Sequence, residues 1–185
     1  MDNLNQALAG RLAGMRKEAG WSLDDLAARS GISRTTLSRF ERMESSPTAE
    51  QLGQLCTVYG CTMSALFAQA EQSQASLLRA KEQMVWQDPG TGFLRRQVSP
   101  PAQGFHAEVL EGRLPGGAVI AYEAPPVASL EQHLWMLAGT LQLDVGAQRY
   151  TLRSGDSLRF RVEASTRFEA IGKQEARYVL VICQR

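Results

Sequence analysis

The sequence predicts a two-domain chain, all-α in its N-terminal third and all-β thereafter. Three observations carry that expectation. Leu4, Leu8, Leu12 and Met15, then Leu52, Leu55, Val58 and Tyr59, recur at helical spacing, so residues 4 to 68 read as a string of short helices. From Phe93 onward, Pro100-Pro101, Gly116-Gly117 and Pro125-Pro126 punctuate short runs such as Ala118–Tyr122, Thr140–Val145 and Tyr178–Ile182, with no amphipathic helix between them. Such spacing argues for a β-sandwich or barrel. Between the two parts lies a Gln-, Ala- and Ser-rich stretch, residues 69 to 88, suited to a polar helical connector or a flexible linker. The expected division is 1–68, a partly helical linker over 69–92, and 93–185.

A chain of 185 residues can hold two small cores. Its 44% hydrophobic and 21% charged residues exclude wholesale disorder. No apolar run reaches the roughly 18 residues that span a bilayer, so no membrane partner is expected. Met1-Asp2-Asn3 lacks the basic-then-apolar build of a secretory leader. Three cysteines without a CxxC argue for the reducing cytoplasm. The balance of 20 basic against 19 acidic residues gives no global sign of nucleic-acid binding, and residues 1–68 hold 7 of each.

Local chemistry in the helical part is more specific. Ser22 is a natural N-cap with Asp25 at the third helical position, a capping box, and Trp21 before it can pack on Leu26. This helix runs to about Ser30, where Gly31 permits the positive φ of a sharp turn. Ser33 then caps a second helix, to about Arg42, that turns Leu37 and Phe40 inward. Two helices joined by a short Gly-containing turn define a helix-turn-helix. The small Ala27, four residues before Gly31, lets the helices cross closely. The second helix leaves Ser33, Arg34, Thr35, Thr36, Ser38 and Arg39 on its outer face. Arg can donate bidentately to guanine in the major groove, and Thr can meet a thymine methyl or a phosphate.

Residues 8 to 67 resemble the XRE-type, phage-repressor-like helix-turn-helix family, a five-helix fold that binds double-stranded operator DNA. In that family an Arg near the end of the first helix pairs with a Glu that closes the recognition helix, and Arg16 and Glu41 occupy those positions. Leu23 stands where many members have a Gln that touches the DNA backbone. Met43 stands where a Gly commonly follows the recognition helix.

Residues 105 to 183 resemble the cupin fold, a double-stranded β-helix or jelly-roll barrel. The matching landmarks are Leu114-Pro-Gly-Gly117, Leu134-Trp-Met-Leu-Ala-Gly139 and Tyr150-Thr-Leu-Arg-Ser-Gly155-Asp156. The family's metal site takes two His and a Glu before the first Gly and a third His after the Gly-Asp turn. Here those places fall on Pro126, Ala128, Gln132 and Thr166, and the chain holds two histidines, His106 and His133. No metal, cofactor or catalytic residue is therefore expected. A shifted register would leave Glu131 and His133 as a lone pair of ligands.

What the resemblance leaves is a barrel able to receive a small molecule. Alternation puts Gln132, Leu134 and Met136 on the inner face, with Leu158, Phe160, Thr166 and Phe168. The expected ligand-binding set is Gln132, Met136, Phe160, Thr166 and Phe168, because a buried amide and hydroxyl require partners. Tyr122 and Tyr178 are further candidates. Cys56 and Cys61 read as small buried hydrophobes, with nothing basic beside them in the sequence. The resulting expectation is a cytoplasmic, homodimeric, ligand-responsive transcriptional regulator, a repressor by resemblance, with DNA and a small-molecule effector as partners. A metal-dependent cupin enzyme fused to a DNA-binding domain, or an interaction module that no longer binds DNA, are the competing readings.

Overall fold

The computed structural model describes residues 2–67, 77–102, 105–123, 127 and 130–183, with side chains from Gln6 onward. Five helices come first: α1 (Asp2–Glu18), α2 (Leu23–Ser30), α3 (Arg34–Glu41), α4 (Ala49–Tyr59) and α5 (Met63–Phe67). The caps explain their starts. Ser22 Oγ accepts from Asp25 N while Asp25 Oδ2 accepts from Ser22 N, and Thr48 with Gln51 repeats that exchange at α4. Gly31 and Gly60 end α2 and α4 in the left-handed region, at φ 72° and 62°. Among the described residues, no helix is long and apolar enough to cross a membrane.

Met43 also adopts a left-handed conformation, at φ 61°, just past α3, with its side chain exposed. A side chain there costs about 1–2 kcal/mol that glycine avoids. Part of that gain is offset by the larger backbone entropy glycine loses on folding. Met43→Gly is expected to raise stability by about 1 kcal/mol, read as a higher midpoint in urea with an unchanged slope.

Among the described residues ten antiparallel strands follow: β1 (Val85–Gln87), β2 (Leu94–Ser99), β3 (Ala107–Leu114), β4 (Val119–Tyr122), β5 (Leu130–Ala138), β6 (Thr140–Val145), β7 (Gln148–Arg153), β8 (Ser157–Val162), β9 (Thr166–Ala170) and β10 (Ala176–Cys183). They form two sheets, in the orders β1-β2-β3-β10-β5-β8 and β4-β9-β6-β7. Aromatic rings join the facing sheets. Phe168 on β9 stacks on Tyr178 of β10 at 6.1 Å and meets Tyr122 of β4 edge-on at 6.3 Å. The expected turn at Gly155-Asp156 is present, with Asp156 Oδ2 accepting from Arg153 N at 2.7 Å.

Two expectations need correction. No ladder joins the two sheets among the described residues, so the β domain is an open pair of sheets and not a closed barrel. The β structure also begins before Phe93. Residues 80–82 form a 3₁₀ turn and Val85–Gln87 is an edge strand, both inside the expected linker. Three residues are too few to show alternation, yet this strand buries Trp86 against Phe67 of α5, with ring centroids 5.8 Å apart. Of the linker, residues 69–76 lie outside the described residues.

Helices and sheets share one apolar core. Asp88, in the turn after β1, accepts from Ala49 N at the start of α4 (3.1 Å), and also from Gly90 N and Thr91 N. Gly53 lets the backbone of α4 approach the Tyr122 ring so closely that a Cβ there would sit 2.6 Å from Cδ1. The helical unit is thus docked on the β domain through α4 and α5.

Candidate functional site

The candidate recognition helix is α3, capped by Ser33, whose Oγ accepts from Thr36 N at 3.1 Å. Leu37 and Phe40 are buried, 2% and 4% exposed, and their burial fixes the opposite face toward solvent. That face carries exposed Ser33, Arg34, Thr35 and Arg39, with Thr36 and Ser38 half-buried at its margin. Arg34 lies 3.3 Å from Asp24 of α2, an ion pair between largely exposed side chains. Cations, hydroxyls and a methyl on one helix face match what the major groove presents.

Arg16 and Glu41 are together, in a bidentate pair: Nε donates to Oε1 at 2.6 Å and Nη2 to Oε2 at 2.8 Å. Arg16 Nη1 also donates to the Trp21 carbonyl at 2.8 Å, so one guanidinium ties α1 to both ends of the α2–α3 unit. The Glu41 hydrogen bonds hold the guanidinium pKa above its usual value. Trp21 stacks on Tyr59 at 5.6 Å, with the Arg29 guanidinium 4.5 Å above its ring. Glu41→Gln removes the charge and one acceptor from a pair that is mostly shielded yet at the domain margin. The expected loss is about 1.5 kcal/mol, between the values for exposed and for fully buried pairs. Chemical denaturation of the full chain measures it.

A second site lies between the sheets. A cavity of about 100 Å³ is lined from β2, β3, β4, β5, β8, β9 and β10, and on one side by Gly53 and Cys56 of α4, Thr62, and Met63 of α5. Of the residues expected to hold ligand, Gln132, Thr166 and Phe168 reach this cavity. Met136 and Phe160 do not. Met136 has the inward parity but lies in solid packing at 0% exposure, and Phe160, the ladder partner of Gln132, stays half-buried outside the lining. Tyr122 and Tyr178 do line it, and burial pushes both phenols well above their usual range.

Arg95 on β2, among the lining residues, did not emerge from sequence reasoning. It is 6% exposed, and its Nη2 donates to Ser64 Oγ of α5 at 2.6 Å. Burial pulls the guanidinium pKa down, while Glu108 is foremost among the groups that support the charge. Glu108 is itself buried, and burial raises its carboxyl pKa. The Ser64 and Thr62 hydroxyls are close enough to favour its charged form, though neither oxygen of Glu108 meets hydrogen-bond geometry.

The donor set argues against a cupin-type metal in this cavity. Gln132, Thr62 and Thr166 offer an amide and hydroxyls, beside two high-pKa phenols and a guanidinium, and the strong donor type in the lining, the Cys56 thiol, stands alone with its pKa raised by its hydrogen bond with Cys61 and by burial. Pro126 and Ala128 lie outside the described residues. His133 points away to the outer face of β5, where its Nε2 is 2.9 Å from Glu131 Oε1. Cys183, the ladder partner of Glu131, brings a thiol to the same place, the three ligand atoms lying within 4.8 Å of one another. The Cys56 thiol is pushed up by its hydrogen bond with Cys61 and by burial. Cys61 is pulled down by that same bond and then by Arg11, a cation brought from α1 by the fold and not by sequence proximity.

Comparison with known proteins bears on both sites. Residues 12–66 match the Helix-turn-helix family model (HTH_3). Over 178 residues the chain is 25% identical to the HTH-type transcriptional regulator SutR of Escherichia coli (strain K12), covering 96% of this chain and 95% of that one. A solved HTH_3 family transcriptional regulator from Vibrio cholerae superposes with a TM-score of 0.79 at 22% identity, over 98% of this chain and 97% of that chain. The iron(II) form of HppE matches more distantly, with a TM-score of 0.51 at 17% identity over 97% and 99% of the two chains. At those identities the two structures establish the fold. Residues 12–66 are thus a helix-turn-helix (HTH_3) domain, and the chain is a DNA-binding transcriptional regulator that carries it ahead of a two-sheet β domain.

Proposed function

We propose that the chain is a cytoplasmic, homodimeric repressor, without enzymatic activity, whose β domain senses a small molecule. DNA is read by α3 in the major groove through Arg34, Thr35 and Arg39, with Ser33, Thr36 and Ser38 meeting phosphates at its edge. The observation that carries the sensing half is the shared wall: α4 and α5 of the DNA-binding domain close one side of the β cavity. A molecule in that cavity touches both domains, so it can favour one arrangement of the helices over another, which is the condition for an effect on DNA affinity.

A dimer would set two recognition helices about 34 Å apart on a pseudo-palindromic operator. The outer face of β5 and β10 supports pairing there with a second copy, since Trp135 is 53% exposed beside half-buried Val179, its ladder partner. The donor set in the cavity supports the non-enzymatic reading. Selection of bound fragments from the native genome by the full chain, followed by footprinting, tests the function directly. A two-fold symmetric protected site, occupied by a dimer in sedimentation, is expected. Absence of any preferred fragment would overturn the DNA-reading assignment, and a monomer on the site would overturn the dimer.

A further inference from the structure

We propose that Arg95 makes the cavity a site for a small monocarboxylate with a short aliphatic body, and that this acid is the effector. The inference rests on the sensor reading above and specifies its ligand class. A guanidinium carries five N–H donors in a planar fork that matches a carboxylate. Among the described residues, the hydrogen bond that Arg95 makes runs to Ser64, and no carboxylate lies within ion-pair distance of it. A desolvated cation is strongly unfavourable unless it is paired, so such a group lining a cavity is a receptor for a negative charge.

The surroundings keep that receptor open. Arg95 is paired across the ladder with Gly112, and Gly112 with Tyr178. A Cβ at Gly112 would lie 2.4 Å from the Tyr178 ring, so the absence of a side chain there lets the phenol fold over β3. Both Arg95 and Tyr178 line the space so formed. Glu108, foremost among the charges that support the guanidinium, is not among the residues that line the cavity, whereas Arg95 is.

The rest of the lining sets the body of the acid. Phe93, Leu110, Ile120, Val162 and Phe168 are apolar and favour a hydrocarbon tail. A cavity of about 100 Å³ is smaller than the roughly 150 Å³ that accepts a benzene ring, which points to a tail of three or four carbons. Gln132 and Thr166 supply partners for one further hydroxyl on that tail.

Butyrate and 2-hydroxybutyrate against butyramide, which has the shape without the charge, test the proposal on the full-length chain. Each acid is expected to raise Tm by about 5 °C at saturation, and butyramide and inorganic sulfate to leave it unchanged. Arg95→Gln should abolish the shift. Should that variant fail to fold, Arg95→Lys keeps the charge without the fork and should weaken butyrate at least tenfold in calorimetry. Equal shifts by butyramide, no shift by either acid, or a shift surviving in Arg95→Gln would overturn the assignment. A matching shift from sulfate would overturn the organic-acid class. Addition of butyrate to the protein–operator complex separates the two readings. Binding without a change in DNA affinity leaves the anion site and removes the sensor role, whereas a neutral molecule that changes DNA affinity does the reverse.

Discussion

Replacing Arg34 and Arg39 together with alanine is expected to weaken operator binding at least about 100-fold while leaving the fold intact. Each arginine that contacts a base edge is worth about 1–3 kcal/mol, and two on one helix face lie within reach of one groove. Both side chains are exposed, and the ion pair of Arg34 with Asp24 joins groups 61% and 75% exposed, so its loss changes stability little. Fluorescence anisotropy at fixed salt gives the affinity, and thermal unfolding gives the control. The salt dependence separates the two possible jobs. If the arginines meet phosphates, the slope of log K against log salt falls by about one per contact. If they meet bases, the slope stays and the preference for operator over random DNA collapses. Asp24→Asn should act in the opposite direction, because it frees Arg34 and removes a negative charge at the same surface. Affinity unchanged in the double variant would show that α3 is not the reading helix.

Much of that surface is legible in the sequence because its determinants are local. The Ser22–Asp25 box, Gly31 and the Ser33 cap all act within four residues, and each appears where the pattern puts it. The Arg16–Glu41 pair spans 25 positions and was reachable through family resemblance alone. The cavity is different. On β2 the apolar Leu94 and Val98 share a parity, so alternation alone would turn them inward and leave Arg95 outside. The fold does the reverse: Phe93, Arg95 and Gln97 are buried, and Leu94, Arg96 and Val98 are half-exposed. The reason is non-local. This face of β2 meets α5, where Ser64 accepts a hydrogen bond from the buried guanidinium, a pairing across 31 residues that no spacing encodes. Met136 fails as a ligand residue for a related reason. Parity tells which face of β5 a side chain takes, but not how far along the strand the packed core gives way to open space.

Substituting Gly53 is expected to damage the junction between the two domains in graded fashion, by about 2 kcal/mol for Gly53→Ala and about 3 kcal/mol or more for Gly53→Leu. Two effects oppose each other here. Glycine in the interior of α4 is a poor helix former, so either replacement should stabilise the helix by roughly 1 kcal/mol. Against that, the added Cβ would stand 2.6 Å from Tyr122 Cδ1 and 3.2 Å from Cε1, closer than atoms approach in contact. Tyr122 has little room to yield, since its ring is held edge-on by Phe168, which is stacked on Tyr178. Steric conflict therefore outweighs helix propensity. Gly14→Ala in α1 supplies the control: a Cβ added there would meet nothing within 4 Å, so the propensity gain should appear unopposed as a modest stabilisation. Tyr122→Leu alone removes ring packing and destabilises, but in the Gly53→Ala background it should restore part of the loss. The coupling in that double-mutant cycle, measured by chemical denaturation, should lie within about 0.5–3 kcal/mol, and simple additivity would show that the ring is not the obstacle. Because α4 and Tyr122 are two walls of the same cavity, the substitution also displaces the part of the junction through which an occupied cavity would act on the helical domain. Operator affinity without effector should survive Gly53→Ala, since α3 is built independently of that contact, while the response to effector should shrink.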